Sequence, residues 1–257
     1  MEIILVSLVA LVAAVLTFFT GFGLGTLLTP AFMVFFPVDI AIGLTAVVHL
    51  LNNLFKLLLV GKNADKSVLL KFGIPAIIFS FAGAYLLTLI PEREPLLVHH
   101  WFGGYYPVYS IKLIIAILLL IFSIMDIAPA MKKVNISSKF IPIGGALSGF
   151  FGGLSGHQGA LRSAFLIKSG LTKEAFIGTT VILSCFVDIT RLTVYGSKLT
   201  TDILSENILW IISATLAAFL GAYIGNKIFK KAPIKFIENI VATALICYAI
   251  AMLLGIA

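Results

Sequence analysis

Residues 152–165, GGLSGHQGALRSAF, set glycines beside serine, histidine, glutamine and arginine in a chain whose surroundings are almost wholly apolar. A second glycine cluster, TGFGLGT at residues 20–26, interrupts the apolar run near the start. The reading of these two interruptions decides the fold. Each lies in an apolar region, 3–36 and 139–168, too long for one membrane crossing. The pieces 3–19 and 24–36 would measure roughly 25 and 20 Å at 1.5 Å per residue, short of a hydrocarbon core of about 30 Å, and the pieces flanking the second cluster are shorter still. Each region therefore reads as a helical hairpin that dips into the membrane and returns, with the glycines at its tip.

The rest of the chain supplies the membrane context. Of 257 residues, 60% are hydrophobic and 11% charged, and mean hydropathy is +1.13. Apolar runs of spanning length fall at 40–60, 72–90, 109–127, 175–195, 206–228 and 236–256, which predicts an all-α polytopic membrane protein embedded in a lipid bilayer. The first run follows Glu2 with no basic stretch before it and no small-residue cleavage site after it, so it reads as a membrane segment and not as a signal peptide. The net charge of +7 comes mostly from lysines in short connections, where topology accounts for it without nucleic acid. Cys185 and Cys247 lie in apolar runs without motif spacing, so no disulfide framework or zinc site is indicated.

Charge sorting tests the hairpin reading. If both regions return to their starting side, Lys62, Lys66, Lys71, Lys132, Lys133, Lys139, Lys168, Lys173, Lys227, Lys230, Lys231 and Lys235 share one face. Only Arg93, Lys112 and Lys198 fall on or near the other, together with Glu2, Asp39, Glu92, Glu94, Asp202 and Glu206. A single crossing by each region would divide the lysines almost evenly, against the positive-inside bias. The lysine-rich loops are therefore expected in the cytoplasm and both termini outside, with Trp101, Tyr105, Tyr106 and Tyr109 in an outer aromatic belt.

The chain also repeats itself. With small gaps, Gly23 matches Gly156, Ala31-Phe32 matches Ala164-Phe165, Ile42-Gly43 matches Ile177-Gly178, and Thr45 matches Thr180. Further on, Asn53 matches Asp188, Lys56 matches Arg191, and Gly83-Ala84-Tyr85 matches Gly221-Ala222-Tyr223. The expected organisation is one membrane domain of two repeats, 1–130 and 131–257, each a broken-helix hairpin plus three transmembrane helices. One hairpin enters from each face, so the repeats are inverted in topology. Their tips would meet at the midplane, where secondary transporters of this plan place the substrate.

Half-helices that begin inside a membrane direct unpaired N–H groups and positive dipole ends toward their tips, and glycines let a small anion approach them. This nominates Gly21, Gly23, Gly25 and Thr26 at the first tip and Ser155, Gly156, His157, Gln158 and Gly159 at the second; close helix packing is the competing use of the glycines. Arg162, one turn beyond, should face a cavity or partner, or else snorkel to the cytoplasmic surface. On 40–60, Thr45, His49, Asn52 or Asn53, and Lys56 share one helix face. On 175–195, Thr180, Ser184, Asp188 and Arg191 do the same. These stripes suggest gating or coupling; interhelical hydrogen bonding and an Asp188–Arg191 pair are the structural alternative. His99 and His100 lack accompanying ligands, so no metal site and no cofactor are expected.

The segments TGFGLGTLLTPAFMVFFPVDIAIGLTAVVHLLNNLFKLLLVGKNAD and GGLSGHQGALRSAFLIKSGLTKEAFIGTTV resemble the two halves of the TauE/SafE sulfite exporter family, also called four-toluene-sulfonate uptake permeases. The second copy departs from the family pattern, with Ser163 where proline is usual and His157, Gln158 and Arg162 within the glycine-rich run. The resemblance implies a transporter of sulfite, organosulfonate or a related sulfur oxoanion in a prokaryotic inner membrane. Composition and spacing alone reach an anion-handling transporter, with H+ or Na+ as a possible coupling ion. An anion channel is the alternative. An intramembrane enzyme is disfavoured, because no nucleophile, base and acid set accompanies His49 or His157.

Overall fold

The computed structural model describes residues 1–18, 23–90, 94–101, 103–128, 137–166, 169–196, 199–228 and 234–256. Both interrupted regions break where the glycines stand. Helix α1 (Glu2–Thr17) gives way to α2 (Leu24–Met33), with Gly23 in a left-handed conformation at φ 113° capping α2. Helix α6 (Ile141–Ser155) gives way to α7 (Gly159–Leu166), with Gly156 closing α6 at φ 79°. Both conformations are costly for a residue with a Cβ, so glycine is required at each break. None of the four pieces reaches bilayer thickness: α1, at 16 residues, is about 24 Å long.

The other helices are α3 (Val38–Val60), α4 (Lys66–Leu89), α5 (Ser110–Ile127), α8 (Lys173–Tyr195), α9 (Thr201–Glu206), α10 (Ile208–Ile228) and α11 (Ile234–Leu253). Helices α3, α4, α8 and α10 are long and apolar enough to cross a membrane. The segments 109–127 and 236–256, expected as spans, fall on helices α5 and α11. The span expected from about 206 is α10. Thr200 caps α9 by accepting from Ile203 N, and the chain breaks at Asn207 before α10 begins.

The chain is mostly helical, as an all-α membrane protein should be, with one small addition among the described residues. Strands β1 (Pro95–Trp101) and β2 (Gly104–Tyr109) form an antiparallel ribbon turning at Gly103, whose φ is 79°. His100 pairs with Tyr105 and His99 with Tyr106, and His99 Nε2 meets Leu253 O at 3.1 Å, so the ribbon lies against the end of α11.

Two close helix pairs frame the molecule. Glycines 145, 149 and 153, one per turn of α6, lie against the backbones of Phe72, Ala76 and Ser80 on α4, so closely that a Cβ at any of them would collide with a carbonyl oxygen. The α1–α10 pair is built in the same way, with Gly221 and Gly225 against Leu11 and Val15. In a bilayer, where lipid is as apolar as leucine, such backbone approach drives association. Both pairs run parallel. Helices α3 and α8 run antiparallel, with Gly43 beside Leu199 at one end and Gly178 beside Val60 at the other. Helices α5 and α11 also pack together.

These directions sort the charges. The ends carrying Lys62, Lys66, Lys139 and Lys173 are brought together, with Asp65 N donating to Thr179 Oγ1 at 2.9 Å. The starts of α1, α3 and α10, the end of α8 and the β ribbon lie at the other end.

Candidate functional site

The polar stripes of α3 and α8 face each other across the centre of the bundle. Asp188, fully buried on α8, accepts from Arg191 Nε and Nη2 through Oδ1 at 3.1 and 2.8 Å. Its Oδ2 lies 2.6 Å from His49 Nδ1 on α3 and 3.5 Å from Asn53 Nδ2. The i, i+3 spacing of Asp188 and Arg191 puts both on one face, as the sequence indicated; the His49–Asp188 link, 139 residues apart, had no local signal. Between Asn52 and Asn53, Asn53 joins this network, while Asn52 is buried with neither amide atom hydrogen-bonded among the described residues.

Each hairpin brings its tip to this cluster. Gly25, in the first turn of α2, lies beside both Gly156 O and the His49 ring; a Cβ there would sit 3.5 Å from the carbonyl oxygen and 3.8 Å from Cδ2. A Cβ on Gly156 would come within 2.6 Å of Arg191 Nη1, so the guanidinium lies over the second tip. Lys56 Nζ stands 5.6 Å from the Phe18 ring centroid, at the end of the helix leading to the first tip. Each central helix thus sends its cation toward the hairpin of its own half.

The second tip is held by its own bonds. Ser155 Oγ donates to Phe151 O and accepts from His157 N, Ser148 Oγ donates to Gln158 O, and Arg162 Nη1 donates to Gln158 Oε1 at 3.3 Å. Tyr195 on α8 donates its hydroxyl to Gly153 O, tying the end of α6 to α8. Arg162 is 1% exposed, which settles its direction: it faces the interior and does not snorkel. His157 lies near the backbone of Ser155 and Thr26, yet neither ring nitrogen has a hydrogen-bond partner among the described residues. Gln158 Nε2, Arg191 Nη1 and Ser184 Oγ are in the same position.

Not every nominated residue joins. Thr180 spends its hydroxyl on Ile177 O within its own helix, Thr26 contributes backbone while remaining half-buried, and Gly21 lies outside the described residues. Gly159 is buried at the start of α7, and Gly23 serves as the cap of α2. The buried hydroxyls Thr29 and Ser163, absent from the sequence-based set, lack partners among the described residues. Single hydroxyls in apolar helices give no periodic signal that would have found them. Among the described residues no group of three or more His, Cys, Asp or Glu could hold a metal ion, and both cysteines are free.

The electrostatics follow from this inventory. Lys56, Arg162 and Arg191 are buried with one carboxylate, Asp188, among the described central residues, an excess of two positive charges with the histidines neutral. Charges withdrawn from water are costly unless paired, so this centre is complementary to an anion. Every one of these side chains is almost wholly buried, so the cluster is closed to both faces in this conformation.

A family model described as sulfite exporter TauE/SafE matches residues 6–252, nearly the whole chain. No curated protein and no solved structure matches significantly.

Proposed function

From the premise that this chain belongs to the TauE/SafE sulfite exporter family, a family of membrane transporters, we propose that it is a secondary transporter of a small sulfur-containing oxoanion such as sulfite or an organosulfonate. The substrate would bind at the midplane between the hairpin tips. The observation that carries this reading is the buried excess of positive charge where Gly25 and Gly156 meet. His157, Gln158 Nε2 and Arg191 Nη1 supply further donors, and charge-assisted bonds of this kind are the strong ones.

The mechanism rests on two inverted-topology repeats, 1–130 and 131–257. Their support is the exchange of contacts: α1 packs on α10 while α6 packs on α4, and α3 meets α8 as α5 meets α11. Each of these pairings has its counterpart with the halves exchanged. Asn53 and Asp188, matched in the repeat, approach each other at the centre as residues near a two-fold axis should. Alternating access would move one half against the other around the fixed site. The lysine-bearing end is assigned to the cytoplasm of a prokaryotic cell and both termini to the outside, on the positive-inside bias.

In proteoliposomes, purified protein is expected to give saturable flux of labelled sulfite or a short alkanesulfonate. The absence of saturable flux for any oxoanion removes this reading, and flux that rises linearly with concentration indicates a channel. Arg162→Ala should weaken anion binding by roughly 10- to 100-fold, the equivalent of one charge-assisted hydrogen bond. Arg162→Lys should recover part of the loss, because it keeps charge but not the planar fork. Equal affinities in the two variants would assign Arg162 to the fold alone.

A further inference from the structure

We infer that transport is coupled to protons through the His49–Asp188 bridge, which takes up a proton with each anion bound and releases it when the anion leaves. This rests on the oxoanion reading above.

Three observations converge on the bridge. First, it joins the two halves: His49 stands on α3, Asp188 on α8, and these central helices pack directly against each other. Motion of one half against the other must carry this contact along or break it, so its protonation state bears on the moving interface. Second, the His49 ring reaches the first tip, since a Cβ on Gly25 would sit 3.8 Å from its Cδ2 and 3.5 Å from Gly156 O. A proton gained by this ring adds positive charge at the tip, and an anion at the tip favours that proton in return. The coupling is reciprocal by thermodynamic necessity.

Third, the ring's surroundings accept both protonation states. Neutral His49 can donate from Nδ1 to Asp188 Oδ2, 2.6 Å away, while the Asn53 amide stands against the ring with Nδ2 3.2 Å from Nδ1 and 3.3 Å from Nε2. Once protonated, the ring keeps its Nδ1 bond to Asp188 as an ion pair, and Asn53 can turn its amide over to bring the carbonyl oxygen toward the charged ring. A carboxamide at this position serves both states without moving its helix. The charged groups acting on the ring are Asp188 and Arg191 from α8 and Lys56 from its own helix; Arg162 of α7 lies near Lys56 and Asp188, and the titratable His157 lies near Arg191. Helix α2 contributes the backbone at Gly25.

Among the described residues a sodium ion has no comparable place. Both Asp188 oxygens are engaged, Oδ1 by Arg191 and Oδ2 by His49, and the cations around the carboxylate repel a further one. With one proton taken up per anion, the two travel in the same direction.

The test uses intact protein in proteoliposomes containing a pH-sensitive dye, with labelled sulfate and methanesulfonate as probes. Both keep their charge near neutral pH, so any pH dependence belongs to the protein. Wild type is expected to acidify the lumen as the anion enters. Its anion affinity should fall by up to about tenfold per pH unit on the alkaline side, the limit set by one linked proton. His49→Gln retains a donor toward Asp188 but cannot titrate, so the anion flux it keeps should carry no proton movement and show a flat pH profile. Should that variant fail to fold, proton uptake by wild-type protein in weakly buffered detergent on adding the anion gives the stoichiometry directly. Anion flux by wild type without proton movement, flux driven by a sodium gradient, or proton coupling that survives His49→Gln would overturn the inference while leaving oxoanion transport standing. Absence of saturable flux for either probe and for sulfite would remove both.

Discussion

Asp188→Ala is expected to lose most of the folded protein. Asp188 has no exposure to solvent, and its two oxygens are met by Arg191 and His49. Removing it leaves a buried guanidinium with nothing opposite, in a centre where positive charge already exceeds negative. Breaking a buried pair by deleting one partner costs about 3–5 kcal/mol, a large share of the stability of most proteins. The measurement is thermal melting in detergent followed by size-exclusion chromatography. Asp188→Asn should be milder on the fold, because the amide fills the same volume and keeps one acceptor, yet it should transport poorly. The paired variant Asp188→Leu with Arg191→Met should melt closer to wild type than Asp188→Ala does, since replacing both members of a buried pair with apolar residues is often nearly neutral. A melting temperature of Asp188→Ala equal to that of wild type would contradict the assignment of this carboxylate as the charge that holds the centre together.

The contrast between Asp188 and its partners shows where sequence reading succeeds. Membrane segments were legible because an apolar run of bilayer length has few other uses, and the glycine breaks were legible because the flanking pieces are too short to cross. The stripe Thr180, Ser184, Asp188 and Arg191 was legible from helical spacing alone, and all four are buried. Burial of Arg162 followed less directly, since an arginine one turn from a helix start could equally have snorkelled. What spacing does not encode is which stripe faces which across more than a hundred residues, so the His49–Asp188 contact appears only with the fold. The ribbon at 95–109 was missed for a different reason: its aromatic residues suit an interfacial belt as well as a strand, and composition cannot separate the two.

The helix pair that carries the second hairpin is the other place where a small change should have a large effect. Gly149 on α6 faces the backbone of Ala76 on α4, with Gly145 and Gly153 in the same relation one turn to either side. Gly149→Ala adds a single methyl group, but the atom it meets is a carbonyl oxygen in the middle of a helix, which cannot swing aside as the end of a side chain can. The helices must separate along their whole contact, and the close approaches at Gly145 and Gly153 loosen with it. Overpacking by one methyl group costs about 1–3 kcal/mol where side chains can adjust, so a backbone collision belongs at the upper end or beyond. Helix propensity works the other way, favouring alanine by about 1 kcal/mol, and so the two effects oppose each other and packing should win. Gly196→Ala provides the control, because a Cβ there meets only carbonyl oxygens of the preceding turn at 3.4 and 3.6 Å, an ordinary contact. Gly149→Ala should therefore lower the melting temperature in detergent markedly and Gly196→Ala should leave it nearly unchanged. Since α6 delivers Gly156, Arg162 and His157 to the centre, partial unseating of this helix should also weaken anion binding in whatever Gly149→Ala protein remains folded. Equal melting of the two variants would mean that the α4–α6 contact yields more readily than its backbone geometry implies.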